Sequence, residues 1–159
     1  MNVTREAVAT ALLAQLALAN GNGTLKLPNG TSVPQIPFKL FIREGIMWDK
    51  LSGQQPAAEL IKVSEGWAQN ALGLPKYVLH YWLLVYAKSQ GLENTPDETF
   101  INQCLDAFDA AMAPKPPYQK QTLGNLVNNA WIEGDVMVDQ GILDQQMAIV
   151  IPVKVETGS

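Results

Sequence analysis

Gln146-Met147-Ala148-Ile149-Val150-Ile151-Pro152-Val153-Lys154-Val155 is the stretch whose reading decides the fold of this chain. Met147, Ile149, Ile151, Val153 and Val155 occupy every other position, and Gln146, Ala148, Val150, Pro152 and Lys154 take the rest. Such alternation is the signature of a β-strand with one face on a core. Upstream, Leu126 to Val138 reads as a second long strand and Asp139-Gln140-Gly141 as a turn, so residues 122–155 predict a long hairpin. Pro152 has no backbone donor, which predicts a sheet edge or strand end where a neighbouring chain could add.

Before this hairpin, Thr95-Pro96-Asp97-Glu98 carries the marks of a helix start, with Thr95 as cap, Pro96 at the first helical position and Glu98 closing a capping box. Ile101, Cys104, Leu105, Phe108 and Met112 then form one apolar stripe, with Gln103, Asp106 and Asp109 off it, until Pro114. Lys115-Pro116-Pro117-Tyr118-Gln119-Lys120 makes a stiff connector.

The run Lys76 to Lys88 is apolar at nearly every position, so periodicity alone does not separate strand from helix. Its tyrosines, tryptophan and valines favour a long strand covered on both faces, bounded by Gly73 and Pro75 in front and Gln90-Gly91 behind. Phe38 to Arg43 and Ala57 to Val63 read as two shorter strands. Between them, Met47 and Trp48 sit in a Gly- and Pro-containing loop. They either pack on their own domain or anchor a neighbouring subunit, where tryptophan is enriched.

At the N-terminus, Val8, Leu12, Leu16 and Ala19 recur at helical spacing and Thr4 can cap, which predicts an amphipathic helix over about residues 4–19. A signal peptide is the competing reading, but Glu6 and Gln15 interrupt its expected basic and apolar regions. Residues 20–37, rich in Gly, Asn and Pro, predict turns, with a small hairpin around Pro28-Asn29-Gly30. No run approaches the roughly 20 apolar residues of a membrane span. The element order therefore predicts one α+β domain over 1–159: a mixed, mostly antiparallel sheet with two main helices packed on one face.

Composition narrows the function classes. The 159 residues are 47% hydrophobic and 16% charged, with a net charge of -4, and the 11 basic residues are scattered, which disfavours a grip on nucleic-acid phosphates. Cys104 is the single cysteine, so no internal disulfide forms, and its place on the apolar stripe predicts a buried thiol. His80, the one histidine, lies in an apolar run, so a histidine metal site or a Ser-His-Asp triad is hard to build. The carboxylate pairs Asp97/Glu98, Asp106/Asp109 and Asp135/Asp139 are accounted for by a helix cap, a wet helix face and a hairpin turn. No phosphate loop or dinucleotide fingerprint is present. No catalytic, cofactor-binding or metal-ligating residue is predicted. An enzyme using His80 and Asp135, a small hydrolase or ligand-binding domain, is the reading from another class, and it requires His80 in a cleft beside a carboxylate.

The series Gln121-Thr122-Leu123-Gly124, Ala130-Trp131-Ile132-Glu133-Gly134, Asp139-Gln140-Gly141 and Gln146 to Val153 resembles the closing segment of tailed-bacteriophage tail terminator, or tail-completion, proteins. Gln55-Pro56-Ala57, the aromatic strand ending near Tyr86, Ile101-Asn102, Leu105-Asp106-Ala107 and Met112-Ala113-Pro114 extend the resemblance from about Phe38 to Val155. Residues 20–37 depart from the family pattern. The resemblance implies a non-enzymatic virion protein, assembled in the bacterial host cytoplasm, that forms a homo-hexameric ring on the head-proximal end of the tail tube. The ring ends tube polymerisation and offers a joining surface to the head-tail connector. The implied partners are further copies of the chain, the tail tube protein and the connector protein, with DNA passing through the lumen and no membrane. A head-closure, or neck connector, protein of the same virion is the alternative role. Met47, Trp48, Trp131, Glu133 and Pro152 are the candidate subunit or partner contacts.

Overall fold

The computed structural model describes residues 3–43, 45, 54–88, 97–114, 119–139 and 146–158. Helix α1 (Arg5–Leu16) continues through a short 3-10 turn, Ala17–Ala19. Hairpin strands β1 (Thr24–Lys26) and β2 (Ser32–Pro34) follow, then β3 (Leu40–Ile42), β4 (Ala57–Gln69) and β5 (Pro75–Lys88). Helix α2 (Asp97–Met112) precedes β6 (Asn129–Ile132), β7 (Met137–Asp139) and β8 (Gln146–Gly158). The large sheet runs β3-β4-β5-β8-β6, with β7 also paired to β8; only β3 and β4 are parallel. This is the α+β fold that the element order predicts.

Both helices sit on the face that β8 offers. Met147, Ile149, Ile151, Val153 and Val155 are all at most 1% exposed, and beside them Leu79, Tyr81, Leu83, Val85 and Ala87 of β5 are buried on the same side. Val8, Leu12 and Leu16 of α1 and Phe100, Cys104, Ala107, Phe108 and Ala111 of α2 complete the core. Phe108 stacks on Phe38 with ring centroids 5.8 Å apart, which ties α2 to the chain entering β3. Burial pushes the Cys104 thiol up to about 12, so it is an inert packing group. Thr4 caps α1 as expected, its hydroxyl accepting from the Ala7 N–H at 3.1 Å; Thr95 and Pro96 lie outside the described residues.

The Gly/Asn/Pro segment is an ordered flap built around one side chain. Gln35 donates through Nε2 to the Leu18 carbonyl (2.8 Å) and accepts from the Gly23 N–H through Oε1 (2.9 Å). A Cβ at Gly21 would fall 2.4 Å from that Oε1, so the close approach requires glycine. The flap's apolar side chains Val33 and Ile36 are buried, and β1 and β2 pair antiparallel around Pro28-Asn29-Gly30 as the sequence predicts.

Four strand expectations are corrected. Residues 126–138 do not form one strand: β6 ends at Ile132 opposite Val153, and β7 begins at Met137 opposite Val150. Residues 133–136 therefore lie opposite 151 and 152 alone, a bulged insertion. Pro152 is its physical cause. It offers only its carbonyl to that side, which accepts from the Glu133 N–H at 3.2 Å, and its missing N–H leaves nothing to hold the next partner residue. Pro152 is thus inside the sheet, paired to Trp82 of β5 on its other flank, rather than at an open edge.

The aromatic strand is buried on one face only, because both helices pack on that face and Trp82 on the other remains 43% exposed. Strand β4 extends six residues past the predicted Val63, to Gln69.

At Gly134, φ is +115° and an added Cβ would meet Pro152 Cγ at 3.2 Å. Gly134→Ala is therefore expected to destabilise the fold by about 1–3 kcal/mol, read as a lower urea midpoint at unchanged m. An unchanged midpoint would show that the bulge tolerates a side chain.

Candidate functional site

The β4–β5 hairpin is longer than the core needs. From Lys62 through Pro75 every residue except Glu65 is exposed, while β5 stays paired with β8 as far as Lys76 opposite Gly158, so this arm is an uncovered edge strand that ends in a turn at residues 70–75. Strand β3 covers the other side of β4 only at residues 57–59, which leaves 60–69 as an open edge among the described residues.

A bulge organises the base of the arm. Lys62 stands opposite Tyr81 and Ser64 opposite His80, so Val63 is an extra residue that reverses the alternation. Lys62 and Glu65 consequently both face α1. Glu65 Oε1 accepts from Arg5 Nε at 2.8 Å and from Lys62 Nζ at 2.7 Å, and Oε2 accepts from Arg5 Nη2 at 2.9 Å. The Trp67 indole N–H also donates to Glu65. The Arg5 guanidinium lies 5.3 Å from the Tyr77 ring centroid and 5.8 Å from that of Trp67, and the two rings meet edge to face. The Arg5 guanidinium first, then Lys62 and the indole, hold the Glu65 carboxyl down at about 2 against the cost of its burial.

The tip is equally fixed. Asn70 Oδ1 accepts from the N–H groups of Leu72 (2.9 Å) and Leu74 (3.0 Å), and the Gly73 N–H bonds the Asn70 carbonyl at 2.9 Å. Gly73 takes φ +77°, the left-handed conformation that suits glycine in this turn. The arm leaves Trp67 73% and Leu72 83% exposed. Both are large apolar groups that the chain's own core does not cover.

Across the sheet, Trp131, Glu133 and Pro152 are brought together as neighbours. The Trp131 indole donates to Glu133 Oε2 at 2.8 Å and Lys154 Nζ lies 3.1 Å from the same oxygen. Trp131 and then Lys154 thereby hold the Glu133 carboxyl below its usual range. Next to this corner, a cleft of about 250 Å³ runs between the end of α2 and β6, lined by Met112, Ala113, Pro114, Trp131 and Ile132 among others. A second cleft of about 360 Å³ lies where Arg5, Glu6, Arg43, Lys62 and Tyr81 meet, with Arg43 Nη2 2.6 Å from Glu6 Oε1. The outward sheet face carries Trp82 and, 65% exposed, Met137. Met47 and Trp48 lie outside the described residues.

His80 lies on the outward face between Ser64 and Lys154, and neither it nor Asp135 lines either cleft. Among the described residues no group of three His, Cys, Asp or Glu side chains is gathered, and no helix is long and apolar enough to cross a membrane. The arm is what sequence reasoning missed. Its signal was present in Asn70-Ala71-Leu72-Gly73-Leu74-Pro75, a turn between two extended runs, with Trp67 alternating against Glu65 before it.

No family model and no curated protein matches the chain. Among solved structures it is similar to a chain of the "Virion of native gene transfer agent (GTA) particle", at 13% identity, covering 96% of this chain and 98% of that one, with a TM-score of 0.48.

The Glu65 cluster makes the arm sensitive to acid. Because this carboxyl titrates at about 2 rather than at the usual 4.5, its stabilisation is complete above about pH 4.5 and is lost as pH falls toward 2. Thermal melts should show the wild type losing about 1–2 kcal/mol over that window through this group, with Arg5 half-exposed and screened. Glu65→Gln should lack that component of the acid slope and be less stable at pH 7. Parallel acid profiles for the two proteins would refute the assignment.

Proposed function

We propose that the chain is a structural virion protein that forms a ring on the head-proximal end of a phage tail tube. There it ends tube polymerisation and presents a surface to the head-tail connector. The observation that carries this reading is the braced arm: an uncharged tip with exposed leucines, held rigid by the turn at Asn70 and by the Glu65 cluster at its base. A ring needs two different patches on each copy, because head-to-tail contacts close only when the surface given differs from the surface received. The open β4 edge of the arm is one flank of the sheet and β6 with the Trp131 corner is the other, since β5 and β8 stand between β4 and β6.

The resemblance of Gln121 to Val153 to tail terminators supplies the location, and the described side chains supply no reactive constellation that would compete with it. The carboxylates of Glu98, Asp106 and Asp109 are exposed along α2, and a net charge of -4 suits a ring through which DNA passes without adhering. Trp131 and Glu133 are contact residues in this reading. Pro152 contributes by shaping the bulge beside them, and Met47 and Trp48 stand as contacts on the sequence argument alone. The partners are further copies, as a homo-hexamer, together with the tail tube protein and the connector protein.

Gold-labelled protein added to isolated tails should appear in electron micrographs at the head-proximal end alone. Deleting the gene should yield overlong tails. Label along the tube or at the baseplate end would refute the reading, and unattached tails of normal length would assign the chain to head closure instead.

A further inference from the structure

We infer that Asn29 is a site of spontaneous modification: in the folded protein its side-chain amide is lost through attack by the Gly30 nitrogen, while the same reaction is held back at Asn20 and Asn22. All three asparagines precede a glycine, and Asn22-Gly23-Thr24 repeats the tripeptide Asn29-Gly30-Thr31. Local sequence therefore gives Asn22 and Asn29 comparable reactivity, because in both the following glycine has no Cβ to obstruct its nitrogen. In the reaction that nitrogen gives its proton to water or hydroxide and forms a bond to the asparagine Cγ. The tetrahedral carbon expels ammonia and leaves a cyclic imide. Water then opens the ring, at Cγ to give aspartate or at the backbone carbonyl to give the β-linked isomer. The net change is amide plus water to carboxylate plus ammonium, and it requires no cofactor.

The fold separates the sites. Asn22 and Asn29 are both exposed, so access does not decide between them. At Asn29 the Thr31 N–H donates to Oδ1 at 2.9 Å, which bends the side chain toward the following backbone and places a donor on the oxygen where negative charge develops. The Gly30 N–H bonds the Leu27 carbonyl at 2.9 Å, but that bond closes only the tip of an isolated two-stranded hairpin, so fraying of the turn releases it. At Asn22 the attacking nitrogen would be that of Gly23, whose N–H is held by Gln35 Oε1 at 2.9 Å, and Gln35 is fixed in turn to the Leu18 carbonyl. Releasing it dismantles the flap, with buried Val33 and Ile36 on either side of Gln35. At Asn20, Oδ1 accepts from the Phe38 N–H at 3.0 Å and the Gly21 N–H bonds the Ile36 carbonyl at 3.0 Å, so both reacting groups are engaged where the flap meets the core. Conversion of Asn29 sets a carboxylate next to Pro28, which lines the cleft at the end of α2 together with Asp109. The β-linked product also lengthens the turn by routing the chain through Cβ.

The test incubates the full chain in mildly alkaline buffer, native and in urea, and then digests it with trypsin. Cleavage after Arg5, Lys26 and Lys39 puts Asn29 in one peptide and Asn20 with Asn22 in another, and mass spectrometry reads the exchange of NH2 for OH at each residue. In the native protein Asn29 should convert at least about fivefold faster than Asn22, and in urea the two rates should agree within about twofold. Gln35→Ala frees the Gly23 N–H, so in native buffer Asn22 should approach the Asn29 rate, with a thermal melt showing that the variant folds. A smaller native ratio, the reverse order, or no conversion at Asn29 would overturn the inference, whether or not Gln35→Ala folds. A urea ratio as large as the native one would assign the difference to sequence and overturn it equally. Folded Gln35→Ala with Asn22 still protected would remove the staple as the cause. None of these outcomes bears on the ring.

Discussion

Strand β8 is the constraint on which the structure depends. It pairs with β5 along its whole described length, from Gln146 opposite Lys88 to Gly158 opposite Lys76, and its alternate side chains form the floor on which both helices rest. A slip of one residue would turn Met147, Ile149, Ile151, Val153 and Val155 to water and bring Pro152 and Lys154 into the core. The register is therefore fixed by burial, and with it the position of every element that pairs with β5 or β8. Pro152 then sets the outer edge. By withholding one N–H from the neighbouring strand, it splits that strand into β6 and β7 and creates the turn that carries Glu133.

The parts of the fold legible in the sequence are those whose residues answer to a single neighbour. The alternation in β8 and the stripe Ile101, Cys104, Phe108 and Met112 in α2 both report a one-sided core, and Thr4 reports a cap through a bond within its own turn. Reading failed where the determining partner was far along the chain. The break after Ile132 is invisible in residues 126–138 themselves, because its cause lies across the sheet at Pro152. The run Lys76 to Lys88 is apolar throughout, and what bares Trp82 while burying Tyr81 is the placement of both helices on one side. The small hairpin within residues 20–37 is legible from its turn, but the packing of the flap is not, since Gln35, which staples it, carries no mark in sequence.

For the candidate site, the same rule held more severely. Trp131 and Glu133 are recognisable as a corner because they are two residues apart and share a hydrogen bond. Of the arm, only the turn at Asn70 to Pro75 carries a mark in the sequence. Its base joins Arg5 of the first helix to Glu65, sixty residues later, through a bulge at Val63 that no pattern of hydrophobicity encodes. Without that bulge, Lys62 and Glu65 would face opposite sides and the carboxylate could not gather both cations. The chemistry of the arm is thus a product of register, and register is a property of the folded sheet.

That bulge has a second effect, on solubility. A flat run of unpaired backbone invites strands from other molecules, and residues 60–69 present such a run among the described residues. The extra residue at Val63 twists the run, and Lys62 and Glu65 place ionised groups beside it. The open edge can therefore lie beside exposed leucines without offering a ready template for amyloid-like stacking.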